Sequence, residues 1–137
     1  MDDYNTDNNK LIKKLSQACN GLMWLSEADY PWQVIDWKDE SEINSPALLQ
    51  HYNYHPEIKV ITTTLLSFFE SATTEEKWHD ELERAETKRY QNLYSLLIEN
   101  LSNIQVFLVG EVKIDAYILG NTQSNSIVGL STKIVET

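Results

Sequence analysis

The sequence predicts an α/β domain in which helices cover a mixed, largely antiparallel sheet. Segments rich in β-branched and other strand-forming residues (58–63, 104–109, 112–119 and 128–136) are interspersed with stretches whose apolar residues recur at helical spacing. The last three of these strand segments follow one another through short polar connections, as hairpin-linked strands do. Only 4 glycines and 3 prolines leave little room for linkers, while an apolar content of 42% supports a core. By length the chain, residues 1–137, is one domain able to bury about two-thirds of its unfolded surface.

Taken in order, residues 1–8 are polar and read as a frayed lead-in. Asn8 or Asn9 can cap a helix over residues 10–20, where Leu11, Ile12, Leu15, Ala18 and Cys19 keep helical spacing. Asn20-Gly21 stops it, because glycine enters the left-handed region without steric cost. Leu22, Met23, Trp24 and Leu25 are apolar throughout, the pattern of a buried segment. Residues 26–31 form a loop, since Pro31 confines Tyr30 to extended backbone. In the strand that follows, Trp32, Val34 and Asp36 share one face, and Gln33, Ile35 and Trp37 the other. Residues 38–42 are charged and exposed, and Ser45-Pro46 opens a short helix, serine as cap and proline at its first position, reaching about Tyr52.

Residues 65–71 predict another short helix, carrying Leu65, Leu66, Phe68 and Phe69 inward. The longest helix is expected to start at Thr74, a hydroxyl cap followed by Glu75 and Glu76 at the positive end of the dipole. Lys77 stands where a full capping box would place an acid or amide. Leu82, Ala85, Arg89, Leu93, Leu96, Leu97 and Leu101 form one stripe, so this helix should run to about residue 101. Its charges between Glu81 and Arg89 read as a solvated face. No repeat or low-complexity tract interrupts the pattern.

The net charge of −10 narrows the functions. It repels a phosphate backbone, so direct nucleic-acid binding is not expected, and it favours a basic partner. A single cysteine, Cys19, supports neither an internal disulfide nor a cysteine-rich metal site. No apolar run approaches the roughly 20 residues that span a bilayer, and the N-terminus lacks signal-peptide character. The expected location is the cytoplasm, without a membrane.

Catalytic patterns are few. His51 and His55 are spaced for one helix face, but Pro56 follows at once and no third ligand lies nearby in sequence, so no metal site is expected. His79 and Asp80 are adjacent, which on a helix does not make them face each other. Phosphate loops, nucleophile elbows and Cys/His pairs are absent. A small hydrolase built on paired carboxylates is the weakest reading, an acidic protein-interaction module a better one.

The most specific signal is a set of blocks. The ending Ser131-Thr132-Lys133-Ile134-Val135-Glu136-Thr137 follows a run from Gly110 to Gly120 that contains Val112-Lys113-Ile114-Asp115-Ala116-Tyr117. Upstream stand Leu25-Ser26-Glu27-Ala28-Asp29-Tyr30-Pro31 and Phe68-Phe69-Glu70-Ser71-Ala72-Thr73-Thr74, the latter followed by Trp78. In this order the blocks resemble the nuclease A inhibitor family, small acidic proteins that block a sugar-non-specific DNA/RNA endonuclease. The similarity extends from about residue 10 to residue 137. It implies a three-layer α-β-α sandwich and a non-enzymatic inhibitor without a cofactor of its own.

The resemblance also implies the partner and the contacts. The partner is a metal-dependent, non-specific endonuclease with a basic active site, bound by a monomer as a 1:1 complex. Glu27 matches the glutamate that reaches an arginine in the nuclease active site, and Trp78 an interface tryptophan. Thr137 matches the terminal threonine whose oxygens approach the nuclease's catalytic Mg²⁺. Oxygen donors of that kind suit a hard cation. Lys77 departs from the family pattern, in which the residue before the tryptophan is acidic.

Overall fold

The computed structural model describes residues 3–37 and 42–136, with side chains from Asn8 onward. Helix α1 spans Asp3–Cys19, so it begins well before the expected cap at Asn8 or Asn9. It stops where the sequence indicated, with Gly21 at φ 74. Arg89 completes that end. Its Nη2 donates to Ala18 O at 2.9 Å and Asn20 O at 2.7 Å, placing a cation at the negative pole of α1.

Two short strands, β1 (Met23–Leu25) and β2 (Asp29–Pro31), pair as a hairpin, followed by β3 (Gln33–Trp37). Helix α2 is Ser45–His51, capped by the Asn44 side chain and not by Ser45. Strand β4 (Val60–Thr63) precedes α3 (Leu65–Thr73) and α4 (Glu81–Asn100). Strands β5 (Ser102–Val109), β6 (Lys113–Asn121) and β7 (Ile127–Val135) complete the chain.

The main sheet has the order β3-β7-β6-β5-β4, and every described pairing in it is antiparallel. The parallel component expected in a mixed sheet is therefore missing among the described residues. The connections explain this. Strands β5, β6 and β7 are successive hairpins, and the α3–α4 pair returns the chain beside β4 in the opposite sense. Gly129 lets β7 sit close to β6, since a Cβ there would lie 1.7 Å from Ile118 O.

Strand alternation divides the core. Val106, Ile118, Val128 and Leu130 pack with Leu11, Leu15, Phe69, Leu93 and Leu97 from α1, α3 and α4. Phe107, Leu119, Ile127, Ile35 and Trp37 form a second cluster with Leu48 of α2.

The start of α4 differs from the sequence expectation. Thr74 caps the C-terminus of α3, with its hydroxyl donating to Glu70 O at 2.7 Å. The N-cap of α4 is Asp80: Glu83 N–H donates to Asp80 Oδ1 at 2.8 Å, and Asp80 N–H donates to Glu83 Oε1 at 3.0 Å. That reciprocal box satisfies two amides of the first turn, and a helix begun at Thr74 could not form one, because Lys77 stands at its N3 position and cannot accept a hydrogen bond. Asp80→Ala is expected to cost about 1 kcal/mol of stability, a fall of a few degrees in the melting temperature by circular dichroism. An unchanged melting temperature would deny the box its role.

Candidate functional site

The turn of the β1–β2 hairpin is fastened to the last strand. Ser26 Oγ donates to Ala28 O at 2.8 Å and accepts from Val135 N–H at 3.0 Å. The Glu27 backbone N–H donates to Val135 O at 3.3 Å. Glu27 is exposed, and its backbone is held beside a residue two positions before Thr137. Glu136 N–H in turn donates to Val112 O at 2.9 Å. Thr137 lies outside the described residues.

Residues 74–80 connect α3 to α4 and carry Lys77 and Trp78, both exposed. Trp78 is therefore on a connecting turn and not in the first turn of a helix. Its relative exposure is 72%, far above that of a core tryptophan such as Trp37 at 3%. His79 braces the turn. Its Nδ1 accepts from Glu76 N–H at 3.1 Å, its carbonyl accepts from Arg84 Nη1 at 2.5 Å, and its ring meets the Trp78 indole edge-on at 4.4 Å.

Between this turn and the hairpin lies a groove of about 310 Å³. Leu25, Trp78 and Leu82 line it, over a floor of Met23, Trp24 and Tyr90. The floor is rigid for visible reasons. Trp24 stacks on Phe68 at 4.7 Å, and the Tyr90 hydroxyl donates to Met23 O at 2.5 Å while accepting from Trp32 Nε1 at 3.0 Å. Burial pushes that hydroxyl well above the usual tyrosine range.

Leu25 (61% exposed) and Leu82 (81% exposed) were both expected in the core. Strand alternation turns Trp24 inward and Leu25 out. The buried residues of α4 begin only at Thr87, so its first turn projects past the core and takes Leu82 with it. Large apolar side chains exposed together around an aromatic residue make this groove the candidate contact surface. Through Leu25 this surface is continuous with the hairpin that carries Glu27. Residues 9–137 match the nuclease A inhibitor-like protein family.

The chain belongs to that family. No curated protein matches the sequence. Membership in an inhibitor family agrees with the scarcity of catalytic patterns. His51 stacks on Trp37 at 4.2 Å and His55 Nδ1 accepts from Glu57 N–H at 3.1 Å, so the two imidazoles serve local packing and turn geometry. Among the described residues no group of three or more His, Cys, Asp or Glu could hold a metal ion. Burial pushes the Cys19 thiol up to about 11, which leaves it inert as a nucleophile. No described helix is long and apolar enough to cross a membrane.

A second concavity of about 490 Å³ lies beside β3, β7 and the end of α2. Its Asp115 already accepts the Tyr54 hydroxyl at 2.5 Å and faces Lys133 Nζ at 3.8 Å. Of the residues expected to act, Glu27 is brought beside the β7 end and Trp78 into the groove, with Lys77 next to it in the same turn. Leu25 and Leu82 join them, the first known from sequence only as the head of the Leu25–Pro31 block and the second only as a member of the apolar stripe.

Proposed function

We propose that the protein inhibits a metal-dependent, sugar-non-specific nuclease by occupying its active site. The observation that carries this reading is the family match over residues 9–137. The net charge of −10 supports it, because a site built to hold nucleic acid is basic and attracts such a surface. Acidic residues stand in for phosphates, with Glu27 pairing an active-site arginine. Trp78, with Leu25 and Leu82, anchors the contact beside it, and Lys77 sits at the rim. The sheet forms the middle layer of an α-β-α sandwich, α2 supplying a thin third layer. The inhibitor acts as a cytoplasmic monomer in a 1:1 complex.

The direct test is titration of the purified protein into assays of several endonucleases, metal-dependent and metal-independent. Stoichiometric loss of cleavage is expected only for a metal-dependent, non-specific enzyme. Uninhibited cleavage by every such enzyme would leave the acidic interaction module as the better reading.

The oxygens of Thr137 are assigned to the nuclease's catalytic metal. Thr137→Val keeps the side-chain shape and removes the hydroxyl. It is expected to weaken inhibition by about 1 kcal/mol, roughly fivefold, without changing the melting temperature. A valine variant as potent as the wild type would remove the hydroxyl from the mechanism.

A further inference from the structure

We propose that Glu86 and Trp78 form a receptor for one arginine side chain projecting from the partner protein. The inference rests on the inhibitor reading and adds to it the chemistry that the groove selects. Glu86 is half-buried in the groove wall, among Trp78, Leu82, Leu25 and Tyr90. Its carboxylate has no hydrogen-bond or ion-pair partner among the described residues.

The arginines that flank it on α4 direct their hydrogen bonds elsewhere, and Lys77 at the rim forms no ion pair with it. Arg84 binds the carbonyl of His79, and Arg89 binds Ala18 O and Asn20 O at the end of α1. The neighbouring Glu83 is also committed, since it closes the capping box on Asp80. Glu86 is thus the carboxylate of this groove that no described cation contacts. An anion set among apolar walls, partly withdrawn from water, is stabilised by an incoming cation more than an anion in open solvent.

Charge and shape together specify the occupant. Leucine and tryptophan walls accept an aliphatic stem, and the carboxylate accepts the charged head. A guanidinium suits the site better than an ammonium: it is more weakly hydrated, stacks on an indole face and pairs with a carboxylate through two parallel N–H groups. The groove therefore acts as a second anchor for a basic partner, separate from Glu27.

The test needs no partner. The ¹⁵N-labelled protein is titrated with Nα-acetyl-L-arginine methylamide and, in parallel, with the citrulline analogue, which has nearly the same shape and no charge. The arginine probe should produce saturable shifts at the Trp78 indole N–H and at the amides of Leu25, Leu82 and Glu86, and the citrulline probe none. Glu86→Gln should weaken the arginine response about tenfold or more while leaving the rest of the spectrum in place.

Equal shifts from both probes, or an unchanged response in Glu86→Gln, would overturn the assignment. The nuclease assay separates this from the parent reading. Arginine binding without inhibition of any nuclease would refute the inhibitor reading and leave the receptor standing. Inhibition together with an unaltered Glu86→Gln titration would refute the receptor alone.

Discussion

Glu27→Ala is expected to weaken nuclease inhibition by about 2–5 kcal/mol, the largest loss from any single change at this surface. Most of that cost is the arginine left desolvated and unpaired in the nuclease once its carboxylate partner is gone. The backbone attachment of the turn survives the change. The bond that fastens this turn to Val135 comes from the Glu27 backbone N–H, which alanine keeps, and Ser26 supplies the second attachment. The measurement is an inhibition constant for wild type and variant, with thermal unfolding of both alone. Equal inhibition constants would exclude Glu27 from the active-site contact. A melting temperature lowered by many degrees would show that the side chain belongs to the turn's architecture. Glu27→Gln sharpens the result: it preserves the shape, so a loss close to that of alanine assigns the effect to charge.

Much of the fold was legible because strand chemistry is local. The alternation of Val112, Ile114, Ala116 and Ile118 against Lys113, Asp115, Tyr117 and Leu119 marked β6, and short polar links marked the hairpins on either side. The boundary of α4 was missed although spacing marks it: Asp80 has Glu83 three residues on, the pattern of a capping box, whereas Thr74 has Lys77 there. The choice comes from the reciprocal bonds of Asp80 and Glu83, and from Thr74 being used by the helix before it.

That boundary hid part of the site. With the helix drawn from Thr74, Leu82 falls on the inward stripe and Trp78 in a first turn. With the helix drawn from Glu81, both stand at the end that projects past the core. Glu86 was concealed differently. In a run of alternating charge it is indistinguishable from a solvated acid, and only the positions of Arg84 and Arg89 show that its neighbours do not pair with it. Glu27 and Trp78 were reached through family resemblance, since a lone exposed acid and a lone tryptophan have no spacing pattern to detect.

The second large effect belongs to Trp78. Trp78→Ala is expected to weaken inhibition by about 2 kcal/mol or more, roughly thirtyfold, as truncation of a central aromatic anchor does. The melting temperature should change little, because a side chain 72% exposed contributes little to the core. The backbone of the turn should also persist, held by His79 through Glu76 N–H and Arg84. Leu82→Ala provides the comparison. At 81% exposure it too is dispensable for folding, and it borders the same groove, so it should lose binding by a smaller amount at equal stability. The two losses should fall short of adding in the double variant, since the residues would cover one shared patch of the partner. Loss of inhibition only in step with loss of stability would return Trp78 to a structural role. Wild-type inhibition by Trp78→Ala would place the contact surface away from the groove, at the hairpin turn and the end of β7.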